Sequence, residues 1–240
     1  MITKEIPNAQ MVTEDFEMAT LSLANNYRAA LIQEFLPHLR GNVLEVGAGI
    51  GQITEGLVKI PGISRLLSVE PHPAFYRELL QKFPNNKVIH GVVDDAGPDN
   101  DWDAIVNFNV LEHIQEDELE LKKYHDRLLK NKGTLCLFVP ARPEIFSPLD
   151  KDFGHFRRYT RPELRQKLER AGFEIVRMRY YNFVGYFAWG LMFRILKKRH
   201  FNAASVLFFD RYIFPPVHGF ESRICPPFFG QSLLVAARAK

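Results

Sequence analysis

The stretch Val43-Leu44-Glu45-Val46-Gly47-Ala48-Gly49-Ile50-Gly51 decides how this chain of 240 residues is read. Its first four residues, apolar but for Glu45, form a short run of the kind a buried strand uses. The glycines that follow allow a sharp turn into the helical pattern that begins at Thr54. Without Cβ atoms such a turn admits a nucleoside at close range, and helix N-terminal amides add donors and positive potential. Spacing then separates two ligand classes. A pyrophosphate-binding turn reads G-x-G-x-x-G, whereas here the third glycine comes one residue early and Glu45 precedes the loop inside the strand. A carboxylate at that point repels a pyrophosphate and attracts a sulfonium or an α-amino group. Glu70 closes the next apolar run, where a carboxylate can accept both hydroxyls of a ribose. The pattern predicts a cationic, phosphate-free nucleoside ligand.

Working outward, apolar runs alternate with amphipathic ones. Strands are predicted over residues 43–46, 65–69, 87–93, 102–108 and 134–139, with helices over 54–60, 73–83 and 115–129 between them. A helix over 21–39, ended by Pro37 and Gly41, precedes them. This rhythm is that of a parallel sheet covered by helices on both faces. After Pro140 a loop runs to Tyr159, and the capping box Thr160-x-x-Glu163 starts a helix over 160–171. Strands over 174–181 and 232–237 end the chain. One domain over 1–240 is expected: an arm (8–19) and helix fill 1–40, and a variable aromatic and basic insertion fills 182–229.

Three motifs, VLEVGAGIG at 43–51, SVEP at 68–71 and NVLEHI at 109–114, together resemble the class I S-adenosylmethionine (SAM)-dependent methyltransferases over residues 27–139. The resemblance implies an α/β fold, a Rossmann-like three-layer sandwich with a seven-stranded, mostly parallel sheet and a C-terminal antiparallel hairpin. It implies SAM as cofactor and S-adenosylhomocysteine (SAH) as product. By the same resemblance Gly47, Ala48, Gly49 and Gly51 line the methionine and ribose, with Glu45 beside them, and Glu70 with Pro71 holds the ribose. Asp94 or Asp95 approaches the adenine amino group, Asn107 to Asn109 face the methionyl side, and Tyr27 closes over the cofactor.

The acceptor side is read from DKDFGHFRRYT at 150–160, similar to a D-x-x-G-H-x-R-R-Y-T segment in a bacterial subgroup of these enzymes. His155 is the candidate general base, since imidazole accepts a hydroxyl proton near neutral pH. Tyr159 and His113 are further catalytic candidates. Glu112 and His113 either support the site, accept a proton, or serve only the fold. Arg157 and Arg158 suit an anionic or hydroxylated acceptor, or else pair with Asp150 and Asp152 to fix the loop. Trp189, in the apolar stretch FVGYFAWGLMF at 183–193, is a candidate acceptor contact. No N/D-P-P-Y/F motif occurs, which argues against adenine or glutamine as acceptor. The eight histidines are dispersed without metal-ligand spacing, so no metal is expected. The expected reaction is methylation of a hydroxyl or carboxylate on a small or lipid- or glycan-linked metabolite. N-methylation of a small molecule, non-catalytic SAM binding, and a peripheral membrane role are the alternatives.

Composition agrees with a cytoplasmic protein. No apolar leader follows Met1, no apolar run reaches membrane-spanning length, and Cys136 and Cys225 are the only cysteines. The net charge of +3 hides a basic stretch with twelve Lys/Arg and three acids between Arg157 and His200. That stretch is a solvated face, a surface for an anionic acceptor, or a membrane-contacting face. Its apolar runs disfavour nucleic acid.

Overall fold

A computed structural model describes residues 20–224 and 226–240, so the expected arm and Cys225 lie outside the described residues. Strands β1 (Gly41–Val46), β2 (Ile63–Glu70), β3 (Lys87–His90), β4 (Ala104–Phe108) and β5 (Thr134–Pro140) pair in parallel. Of the last two, β6 (Phe173–Tyr181) and β7 (Ser232–Ala239), β7 runs antiparallel to both β5 and β6. The order is β3-β2-β1-β4-β5-β7-β6. This is the seven-stranded sheet expected, with its antiparallel final hairpin.

The helices are α1 (Asn25–Phe35), α2 (Thr54–Leu57), α3 (Pro73–Lys82), α4 (Asp117–Leu128), α5 (Pro148–Asp152), α6 (Arg161–Arg170), α7 (Phe183–Trp189), α8 (Ala203–Phe208) and α9 (Phe214–Arg223). Alternate strand residues feed two cores, as the pleat requires. On one face Leu44, Ile105, Leu135 and Leu137 meet Leu121, Tyr124 and Leu128 of α4 and Leu164 and Leu168 of α6. On the other, Val43, Val106, Cys136 and Phe138 meet Leu31 and Phe35 of α1 and Phe214 of α9. The carboxyl ends of β1, β2, β4 and β5 therefore share one edge, where an open α/β sheet binds its ligand.

Three elements depart from the sequence reading. Strand β3 stops at His90 because Asp95 turns back to accept the Val92 amide at 2.8 Å, starting a 3₁₀ turn over Val93–Ala96. Helix α5 stands inside the expected loop, opened by a capping box in which Ser147 and Asp150 bond reciprocally. Helix α1 starts at Asn25, and its first amides are capped from far along the chain. Asp210 accepts the Asn26 amide at 3.0 Å and the Tyr27 amide at 2.8 Å.

That bond shows how the insertion is tied down. Helix α7 runs on into a π turn over Gly190–Ile195, and α8 passes through a second, Phe209–Ile213, into α9. Asp210 lies in the second π turn and is buried. Glu221 on α9 accepts the Asn182 and Phe183 amides at the start of α7. Two buried acids thus cap two helix starts, where unpaired amides and the helix dipole favour negative charge. Asp210→Ala is expected to cost about 2 kcal/mol, because it strands two amides at once. Urea unfolding of the full chain checks this, and a change under about 0.5 kcal/mol rejects the capping role.

Candidate functional site

The glycine loop sits against the end of β4. Gly47, Gly49 and Gly51 all have positive φ, at 71°, 57° and 84°. At Gly47 the need is steric as well as conformational, since a Cβ there would stand 2.4 Å from Val110 Cγ2. The amides of Gly47 and Ala48 both donate to the Val69 carbonyl, stitching the loop to β2. Glu70 completes the stitch: Oε2 accepts the Gly49 amide and Oε1 the His72 amide, both at 2.7 Å. Its carboxyl is pushed above the ordinary range by burial, with the two amide bonds opposing. Each oxygen keeps a second lone pair for a ligand hydroxyl.

Glu45 is 2% exposed. Its Oε2 accepts the Thr54 and Ser68 hydroxyls at 2.7 Å each, whereas Oε1 is buried and has no partner. Burial pushes its pKa up to about 7, and the two hydroxyl bonds and Glu70 modify that shift. On the next strand Asn107 is fully buried, donates to the Tyr124 hydroxyl at 2.8 Å, and leaves Oδ1 without a partner. The pleat puts these two orphaned acceptors on opposite faces of the sheet, Glu45 on the side of Val43 and Val106 and Asn107 on the side of Ile105, so each would need its own donor.

Other predicted cofactor residues are placed differently from one another. Pro71 is exposed, and its carbonyl lies 3.0 Å from His90 Nε2. Asn109 is exposed with φ 54°, and its amide donates to the Phe138 carbonyl. Asp94 and Asp95 are both exposed: Asp94 pairs with Lys123 at 2.6 Å, and Asp95 closes the turn after β3. Tyr27, half-buried, packs its ring among Phe138, Tyr181 and Phe214, and its hydroxyl bonds to Ser232 and Asn182.

Beside the loop, Val110 leads into a 3₁₀ turn over Leu111–His113. Phe156 donates its amide to the Glu112 carbonyl at 2.8 Å, which brings His155 over that turn. The His155 Nδ1 lies 3.1 Å from Asp150 Oδ1, and Nε2 lies 4.0 Å from Glu112 Oε1. Desolvation lowers the His155 pKa, and Asp150 works against that shift. Asp150 also accepts Arg158 Nε at 2.8 Å and the Ser147 hydroxyl at 2.7 Å. The acids of this segment stand four and two residues before Gly154, off the D-x-x-G spacing. Glu112 is fully buried, and burial pushes its pKa up to about 8. His113 is exposed, with its ring edge-on to His155 at 4.7 Å between centroids. Glu112, His113 and His155 form the one group of potential metal ligands among the described residues.

Tyr159, the further catalytic candidate, is fully buried. An isolated bridge to Ala141 turns it inward, and its hydroxyl donates to Asp117 at 2.9 Å with no exposed surface. Burial raises its pKa, so the phenol stays protonated. Arg157 pairs with the same Asp117 at 2.9 Å and donates to the Gln115 carbonyl, serving the loop. Arg158 is buried, donates to the Ala141 carbonyl, and lies 4.5 Å over the Trp189 ring. Asp152 pairs with Arg199 of the insertion rather than with Arg157 or Arg158. Sequence reasoning missed Asp150 as the residue that orients His155. Its signal was the Ser147-Pro148-x-Asp150 capping box, which also presents the carboxylate to the loop that follows.

Comparison with known proteins points the same way. A family profile described as a methyltransferase domain matches residues 22–178, well over half of the chain. A relative from Mycolicibacterium smegmatis, whose name is that of an S-adenosylmethionine-dependent methyltransferase, is 26% identical over 177 residues, covering 71% of this chain and 68% of its own. The structure of the Haloferax volcanii Trm112 methyltransferase activator with its methyltransferase aligns at TM-score 0.60 and 16% identity, over 97% of this chain and 94% of that one. An S-adenosylmethionine-dependent methyltransferase from Mesorhizobium loti aligns at TM-score 0.60 and 15% identity, over 88% and 96%.

Proposed function

The chain belongs to the methyltransferase-domain family, with S-adenosylmethionine as its implied methyl donor, and from that premise we propose methyl transfer to a hydroxyl or carboxylate of a small or lipid-linked metabolite. The observation that carries this reading is the seam at Val110. Gly47 of the cofactor loop abuts Val110, and Glu112, His113 and His155 follow within one turn and one hydrogen bond of it. The donor loop and the one group of three potential metal-ligating side chains among the described residues are therefore neighbours.

The donor supplies an electrophilic methyl group, and the protein's task is to hold two reactants in line in a dry site. Glu70 would hold the ribose hydroxyls. The free oxygen of Glu45 would meet the amino acid end. His155, oriented by Asp150, would face the acceptor oxygen, and Arg158 with Trp189 would wall the site.

Calorimetric titration with SAH, with NAD as control, tests the donor half. Saturable SAH binding without an NAD response is expected, and Glu70→Ala should weaken it by about 2 kcal/mol through lost charge-assisted bonds. Silence with SAH on folded protein, or an unchanged affinity in the variant, overturns the assignment.

A lipid-linked acceptor is favoured by the insertion's surface. Phe187, Leu191 and Ile195 stand exposed four residues apart along α7 and its π turn, and Phe208 with Tyr212, then Phe220 with Ile224, repeat that interval from α8 to the end of α9. Arg194, Lys197 and Lys198 are exposed beside them. No helix among the described residues is long and apolar enough to cross a membrane, so contact would be with one leaflet. Sedimentation with anionic vesicles should be salt-sensitive and weakened by Leu191→Glu with Ile195→Glu. Equal sedimentation of the double variant counts against the membrane face.

A further inference from the structure

We infer that Glu112, His113 and His155 form a binding site for one divalent transition-metal cation, zinc or a first-row neighbour, beside the donor loop. One potential ligand atom from each lies within 4.8 Å of the others. Ligand atoms around a zinc bonded at about 2.0–2.2 Å stand roughly 3–3.5 Å apart, so side-chain rotations of about an ångström close the set.

Glu112 supplies an independent reason. It has no exposed surface, and neither carboxylate oxygen is hydrogen-bonded to another residue. A buried carboxylate in that state is costly, so the group keeps its proton unless a cation takes the proton's place. Arg158 acts on it only through space: its Nε goes to Asp150 and its Nη1 to the Ala141 carbonyl, and no hydrogen bond joins it to Glu112.

The histidines are arranged as ligands. With Nδ1 of His155 turned to Asp150, the ring presents Nε2 toward Glu112. A carboxylate behind a histidine is the usual outer partner that fixes a metal ligand's tautomer and orientation. His113 is exposed and gives the ion a route in from solvent. Two imidazoles and one carboxylate suit zinc or iron(II) better than magnesium, and three protein ligands leave positions open. The sequence expectation of no metal rested on dispersed histidines. Folding brings His155 onto the turn that carries His113.

The role assigned to the ion rests on the methyl-transfer reading, although the site itself does not. An acceptor hydroxyl bound at an open position would release its proton to water more readily, since the cation stabilises the oxyanion. His155 then acts as ligand, and no free base is required.

The test uses the tag-free full chain, stripped with chelator and titrated with zinc and with cobalt(II), alongside SAH on the same samples. One equivalent of zinc should bind at micromolar or tighter Kd, and cobalt should give the visible bands of a four- or five-coordinate nitrogen–oxygen site. Glu112→Gln should weaken zinc about 100-fold, and Asp150→Asn by roughly 10–100-fold. His113→Ala, on the exposed side, should weaken it about 10-fold or more with Tm unchanged. Absence of zinc binding in protein that still binds SAH overturns the proposal, as does equal binding in wild type, Glu112→Gln and His113→Ala. Zinc binding lost in those variants, in a protein silent to SAH, supports the metal site and removes methyl transfer instead.

Discussion

His155→Ala is expected to lower turnover by roughly 10²-fold or more while leaving SAH affinity intact. The side chain is 9% exposed and presents Nε2 into the space it shares with Glu112, next to the seam with the donor loop. None of the bonds that shape that loop involves His155: they run among Val69, Glu70, Thr54 and Ser68. Truncation should also spare the fold, because Asp150 keeps Arg158 and Ser147 as partners and Phe156 still donates to the Glu112 carbonyl. The lowered pKa leaves the ring neutral near pH 7, and Asp150 holds the Nδ1 proton, so the Nε2 lone pair is available to a proton or to a metal. Single-turnover transfer of a labelled methyl group, beside SAH calorimetry, separates the two effects. A wild-type rate with a verified acceptor would remove His155 from the chemistry, and a loss of SAH affinity would move it to the donor side.

What was legible in the sequence was local. The glycine turn, Glu45 before it and Glu70 at the end of the next strand lie at fixed offsets within βα units, where period and turn chemistry determine structure directly. The acceptor side depends on contacts that no window reveals. Asp210 reads as one acid in an apolar, basic stretch, yet it caps a helix 184 residues away. Glu112 and His155 meet through a single backbone bond between two loops. Tyr159 is adjacent to a reactive segment in sequence, and the bridge to Ala141 turns it into the core. Helix α5 has five residues, too few to show a period, and only its capping box announced it. Asp94 and Asp95 were indistinguishable in sequence because their difference is conformational: one pairs with Lys123 on α4 and the other folds back on its own turn.

Glu45→Gln should alter how stability depends on pH, and this follows from burial rather than from any ligand. The carboxyl is fully enclosed, and its pKa rises from 4.5 to about 7. A group whose folded-state pKa lies above its unfolded value binds its proton more tightly when folded. Its contribution is therefore complete below about pH 4.5 and lost as pH rises through about 7. A shift of that size corresponds to about 3 kcal/mol across the window. Glutamine keeps an acceptor for the Thr54 and Ser68 hydroxyls and cannot ionise. Denaturant unfolding at pH 5 and pH 8 should thus show the wild type losing about 2.5 kcal/mol more than the variant. Glu70, also raised by burial, titrates in both proteins, and its coupling to Glu45 is smaller than the burial that dominates the shift. SAH should reverse the wild-type loss at pH 8, because its ammonium group would meet the free Oε1 of the ionised carboxylate. Parallel pH profiles in the two proteins would mean that Glu45 titrates as it does in the unfolded chain. Its orphaned oxygen would then lose its standing as the cofactor's anionic contact.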